Sequence, residues 1–378
     1  MKVKGSNLSI LILLVANGIA GTLLGEETEE PAFEPYFSYT GEAWSIAEGG
    51  TKTGGRSLGL AAVGFDWSHD LLAGGNLHLE AQSMHGRSPT GYAGDFNALS
   101  NIDFDEGTRL FQAWYGNEAS WGKWKTGILA LDDDFMGSDY PSLFINSGFG
   151  PMPIQSGNVA APIWPIGGLG IHVLVDLSEK SSLQLGTYDG DAGSFATNDD
   201  GLNNSLDGDD GYMLMLEYAI SAEFVGGTTT WKLGGFHHTG EEFENFRTGA
   251  GEEGLSSLYT VIDHVASERF GLWTRVGFSL DEEISTVDST LDGGIVVSAP
   301  IPSRPDDQFG IGFLRTDFGD EYLAATPNAT SDESAIELTY HAPISDNFYL
   351  QPDAQWILDA HESQDDVFVL GLRIGIDF

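Results

Sequence analysis

The chain has 378 residues, with 16 basic and 57 acidic side chains and a formal charge of −41. That charge repels phosphate and argues against nucleic-acid binding, while a hydrophobic share of 41% argues against a disordered acidic chain. There is no cysteine, so a disulfide framework, a thiolate metal site and a thiol nucleophile are all excluded. Fifty glycines, roughly twice the usual share, and 22 Phe, 9 Trp and 12 Tyr point to an exported β protein.

The N-terminus has the layout of a secretory signal. Lys2 and Lys4 are followed by the apolar run Leu8 to Val15 and by small residues that place cleavage after Ala20. The run is too short to span a bilayer as a helix, which needs about 20 apolar residues; an uncleaved anchor is the alternative reading. Residues 1–20 are therefore expected to be a signal peptide and 21–34 a short periplasmic lead. No later apolar run reaches membrane-helix length. If the mature chain lies in a membrane, a closed β-barrel is the form that satisfies every backbone group.

Period-two stretches of about ten residues then follow one another, divided by Gly, Asp, Asn and Pro. Sixteen strands are expected over 35–46, 57–69, 74–84, 108–117, 121–132, 169–177, 181–190, 211–221, 229–240, 256–265, 268–278, 291–299, 307–318, 333–341, 347–358 and 365–378. The last is the clearest. Phe368, Leu370, Leu372, Ile374, Ile376 and Phe378 form one face, and Arg373, Gly375 and Asp377 lie on the other. Most of the connections alternate between long polar loops (85–107, 133–168, 191–210, 241–254, 279–290, 319–332) and brief turns. That asymmetry, with an even strand number, predicts an all-β, 16-stranded antiparallel transmembrane barrel over 35–378. Sixteen strands leave an aqueous channel rather than a packed interior.

The connection 133–168 is too apolar for a solvated loop. It carries Phe135, Tyr140, Phe144, Phe149 and Trp164 with several prolines, so inward folding as a constriction is expected; a cap or a contact between copies is the alternative. Arg275 and Arg373 face the lumen by alternation, and Arg109 stands at a strand start. These three, with Tyr140, Phe149 and Trp164, are the candidate solute contacts. Otherwise the lumen arginines pair with wall carboxylates such as Asp353 and Asp377. Arg304, in a short turn, is expected to hold Asp306 or Asp307.

An enzyme is not expected. None of the nine histidines lies in a GxSxG context, and there is no HExxH. His237 and His238 with Glu241, Glu242 and Glu244 are better read as a solvated strand end than as a metal site. Residues 198–211 resemble a calcium loop in composition but fail its spacing. No metal and no organic cofactor are expected. The partners expected are outer-membrane lipid and lipopolysaccharide, the latter with divalent bridging as the less favoured reading.

Nine segments in order carry a family resemblance: SNIDFDEGTRLFQAWYG (100–116), SDYPSLFINSGFG (138–150), APIWPIGGLG (161–170), LQLGTYDGD (183–191), GGFHHTGEEF (234–243), LYTVIDHV (258–265), IPSRPDDQFGIGF (301–313), ELTYHAPISDNFYLQPDAQWIL (337–358) and VLGLRIGIDF (369–378). The chain resembles the carbohydrate-selective porin family, the OprB type. The resemblance implies a bacterial outer-membrane pore through which mono- and small oligosaccharides diffuse, with a homotrimer as a compatible assembly. The charge of −41 departs from that family picture. A general cation-selective porin and a secreted sugar-binding β protein are the rival readings.

Overall fold

The structure is a computed structural model that describes residues 33–69, 72–204, 206, 210–240, 243–327 and 329–378. The expected signal peptide, nearly all of the expected periplasmic lead, and Glu241 and Glu242 lie outside the described residues. Sixteen strands close into one barrel. They are β1 (Phe33–Glu48), β2 (Gly54–Ser68), β3 (Asn76–Gly86), β4 (Gly107–Ala119), β5 (Gly122–Leu129), β6 (Gly168–Ser178), β7 (Ser181–Asp189), β8 (Tyr212–Phe224) and β9 (Gly227–His238). The circuit continues through β10 (Leu255–Ser267), β11 (Phe270–Ser279), β12 (Val287–Ser298), β13 (Gln308–Phe318), β14 (Asp332–Ser345), β15 (Phe348–Leu358) and β16 (Val367–Asp377). Each strand pairs antiparallel with its chain neighbours, and β1 pairs with β16. A two-residue hairpin, Phe243–Glu244 with Gly251–Glu252, decorates one loop.

Alternation sets the two faces of the wall. On β16, Phe368, Leu370 and Leu372 are exposed while Val369 and Arg373 are buried. The outward row continues through Leu216, Leu233, Leu258, Leu272, Ile295, Ile311 and Leu338, with Leu233 64% exposed. Such a belt is stable against hydrocarbon and not against water.

The buried residues lie inside the barrel. One cluster gathers Leu129, Phe135, Met152, Ile154, Tyr188, Met213 and Tyr259. The other gathers Trp44, Leu99, Phe144, Phe149, Trp273 and Leu314. Both combine wall residues with residues from the connections, because two long connections turn into the lumen.

The sequence expectation placed β5 out to residue 132, but the strand stops at Leu129. There the Leu131 amide donates to the Pro162 carbonyl at 2.7 Å, and the chain leaves the wall in a short turn, Leu131–Asp133. The connection is therefore 130–167. The first strand begins at Phe33, two residues before the expected start.

Candidate functional site: the loops inside the barrel

Glycines on the inner face make room for loop rings. A Cβ at Gly271 would lie 1.9 Å from the Tyr140 ring, and one at Gly312 would lie 2.7 Å from Phe149 and 2.8 Å from Phe144. Phe144, Phe149 and Trp273 pack together, with ring centroids 4.8 to 6.2 Å apart. The glycine surplus of the sequence thus becomes a smooth floor on which aromatic side chains lie flat.

Buried polar groups fasten the same segment. Glu337 on β14 accepts the amides of Ile145 (2.6 Å) and Asn146 (2.9 Å). Gln351 donates to the Leu143 carbonyl at 2.7 Å. Arg275, 2% exposed, pairs with Asp292, its register partner on β12, at 2.9 Å. The same guanidinium donates to the carbonyls of Gly150 and Phe149, both at 2.8 Å, and more weakly to Met136 and Gly148. Farther round the wall, on β8, Glu217 accepts the Met136 amide, a Gln184 amide hydrogen and the Tyr259 hydroxyl. Such charge-assisted bonds to backbone groups stiffen a segment that forms no sheet of its own.

A second connection, 87–106, also turns inward, in contrast to its expectation as a long polar loop. Glu333, four residues before Glu337 and so on the same face of the strand, accepts the amides of Phe96 (2.7 Å), Asn97 (3.0 Å) and His361 (2.9 Å). Gln355 donates to the Leu99 carbonyl at 2.8 Å. Asp95 lies buried in this connection with no hydrogen bond to either carboxyl oxygen. Burial and the neighbouring Glu333 raise its carboxyl well above the usual carboxylate range. The apolar residues Phe96, Leu99 and Ile102 were the signal available in the sequence for this inward turn.

The candidate contacts separate into two groups. Arg275 is sealed beneath the loop and Phe149 is on the loop's buried side, so their surroundings are those of anchors rather than of groups open to solute. Arg373 pairs with Glu42 at 2.5 Å and also bonds Asn101. The partners are thus Asp292 and Glu42, which corrects the expectation of Asp353 and Asp377. Arg304 pairs with Asp307 at 2.6 Å in its turn, one of its two expected partners. Arg373 and Tyr140 line one cavity of about 280 Å³ together with Asp139, Gln308, Tyr349 and Gln351. A larger cavity, about 610 Å³, lies against the β3–β6 wall beside Trp114, Lys125, Asp133 and Asp134. Arg109 and Trp164 are brought together with neither; they lie near the rings of Phe195 and Phe104, respectively. His238 is buried, and its ring contacts the Gly190 carbonyl at 2.9 Å; His237 is exposed and reaches Ser256.

Residues 52–378 match the family described as carbohydrate-selective porin, OprB family. The chain belongs to this family. It is a carbohydrate channel of the bacterial outer membrane, built as a closed 16-stranded barrel. Among solved structures, Pseudomonas putida OprB at high pH is similar with a TM-score of 0.81 at 18% identity, covering 92% of this chain and 94% of that one. The outer-membrane channel DcaP of Acinetobacter baumannii has a TM-score of 0.59 at 11% identity, covering 94% and 100%. Salmonella typhi OmpF has 0.59 at 13% identity, covering 92% and 97%. At these identities the likeness is one of fold. Comparison with curated proteins gives no match.

As in any porin-type barrel, the short turns mark one face and the long connections the other. In this member of the OprB family two of those long connections are bonded to the inner wall, so solute meets loop as well as barrel.

Proposed function

We propose that the chain passes small neutral sugars by passive diffusion, with the connection 130–167 as the constriction and no turnover chemistry. The observation that carries this reading is the cavity of about 280 Å³ in which Tyr140 of the loop faces Arg373, Tyr349, Gln308 and Gln351 of the wall. Two phenol rings suit the C–H faces of a sugar, and the guanidinium and carboxamides suit its hydroxyls. A conducting site must bind weakly enough to release, so selectivity is shallow.

Liposome swelling with hexoses, disaccharides, amino acids and small anions tests the reading. Hexoses are expected to enter faster than amino acids and anions of equal size. Equal rates would leave a general porin, the rival reading. Residues 1–20 are proposed as the export signal, so protein recovered from outer membranes should begin at Gly21 by N-terminal sequencing.

We also propose a homotrimer. The outer faces of β2 to β4 carry Gly59, Ala61, Ala81, Ser83 and Thr108 where the rest of the belt carries Leu, Ile and Phe. Ser83 and Thr108 bond each other at 2.8 Å, and Tyr39 meets His85 at 3.2 Å on the same face. Small and hydroxyl-bearing residues are the composition of a protein contact within a membrane.

A further inference from the structure

Three connections meet at the mouth on the long-loop side, and each brings an aromatic ring. Phe104 comes from 87–106, Trp164 from 130–167 and Phe195 from the connection between β7 and β8. The Phe104 and Phe195 centroids lie 5.0 Å apart, and those of Phe104 and Trp164 lie 6.2 Å apart. Phe104 is 42% exposed, and the other two rings are half-buried. Open rings within an aqueous, acidic mouth are costly unless they meet a ligand with an apolar face.

The arrangement is held from below. Arg109 is fully buried, its Nε and both Nη atoms lack a hydrogen-bond partner, and its guanidinium lies 4.7 Å from the Phe195 ring. That cation–π contact fixes Phe195 in place. The Leu110 amide donates to the Asp200 carbonyl at 2.9 Å, tying the connection that bears Phe195 to the free edge of β4. β5 pairs with β4 only from Ala113 onward, which leaves that edge open.

Beside Phe104 lies a cavity of about 340 Å³, lined also by Ser88, Asp103, Asp105 and Glu106. Asp103 uses Oδ2 to accept from Ser88 at 2.7 Å, and Glu106 uses Oε1 to accept from the Gly86 amide at 3.0 Å. The second oxygen of each carboxylate and both oxygens of Asp105 remain as acceptors for hydroxyl groups. Apolar rings next to uncommitted carboxylates match a molecule with C–H faces and a rim of hydroxyl donors.

We infer that Phe104 and Phe195, with Asp103, Asp105 and Glu106, form a capture site for neutral saccharides at the mouth, separate from the cavity holding Arg373. The inference rests on the reading of the chain as a sugar channel. The carboxylates exclude sugar acids by like-charge repulsion, which gives the mouth a preference the inner cavity does not need.

The test is side-resolved current block in planar bilayers with channels of known orientation. Glucose is the neutral probe and gluconate the anionic one. Glucose is expected to block more strongly from the long-loop side than from the short-turn side, and gluconate is expected to show no such preference. The double variant Phe104→Ala/Phe195→Ala should lower the ratio of the two glucose blocks about three- to tenfold, the range for losing aromatic contacts of this kind. Phe104→Trp should restore the ratio, and heat-shifted gel mobility confirms that each variant is folded. Equal glucose block from both sides of the native channel, or an unchanged ratio in the double variant, would overturn the capture site alone. No glucose block from either side would remove the sugar-channel reading, and the capture site with it.

Discussion

Arg275 illustrates what a single side chain does in this lumen. It neutralises Asp292 and bonds loop carbonyls from Met136 to Gly150, with the guanidinium itself buried. Arg275→Ala would leave Asp292 buried without its partner, a loss of about 3–5 kcal/mol for a broken buried pair. Loop carbonyls would lose their donor at the same time. The expected result in single-channel recording is a larger and noisier conductance. Arg275→Met with Asp292→Asn removes the stranded charge and should recover thermal stability in detergent while the conductance stays high. A native-like current from Arg275→Ala would show that the loop is held adequately by its other wall contacts, Glu337, Gln351 and Glu217 among them. Arg373 differs because its cavity is open to solute. Arg373→Ala should weaken sugar block of the ion current by about tenfold or more, as expected for one charge-assisted hydrogen bond, and titration of the block with glucose measures it.

The connection 130–167 behaves as an element although it contains only short turns. Where it leaves β5, Asp132 accepts the Trp164 amide. Burial, reinforced by the adjacent Asp133, pushes the Asp132 carboxyl up to about 7. In an unfolded chain it titrates near 3.9. The folded loop therefore binds the extra proton between those two values. This contribution is greatest in acid and is lost as pH rises through about 7. Unfolding midpoints in detergent are expected to fall between pH 4 and 7 for this reason, and Asp132→Asn should flatten that slope. An identical slope in the variant would assign the pH dependence to other carboxyls. The sequence showed the strands well, because a lipid-facing row every second residue is a local signal. It showed the inward turn of 133–168 through Phe135, Phe144 and Phe149, which no water-exposed loop would carry together. It did not show the inward turn of 87–106, whose few apolar residues stand among polar ones. Nor did it show Glu333 as the partner, more than two hundred residues along the chain. Alternation revealed that Arg275 and Arg373 face inward. Only strand register selects Asp292 and Glu42 as their partners, and register is a property of two strands together.

At the scale of the whole molecule, the wall is not uniform around its circumference. The belt from β8 to β16 carries Leu216, Leu233, Leu272, Ile311 and Leu370, which suit acyl chains. Between β1 and β4 the outward residues Gly59, Ala61 and Ala81 are small, and a depression of about 170 Å³ opens at the two alanines beside Phe37, Val63 and Thr108. Its lining is mainly the small apolar side chains of Ala61, Val63 and Ala81, with Ser83 and Thr108 beside them, so a second wall of the same kind can approach closely there. A closed trimer is held by a head-to-tail contact, in which one surface of each barrel meets a different surface of the next, so two adjoining areas of this face are used on every barrel. Ala61→Trp and Ala81→Trp would each raise a ring out of this depression without touching the lumen. Protein extracted in mild detergent is expected to sediment as a trimer when native and as a monomer when either tryptophan is present. Both forms should keep the heat-dependent gel shift of an intact barrel. A native protein that sediments as a monomer would sink the trimer, and so would tryptophan variants that remain trimeric.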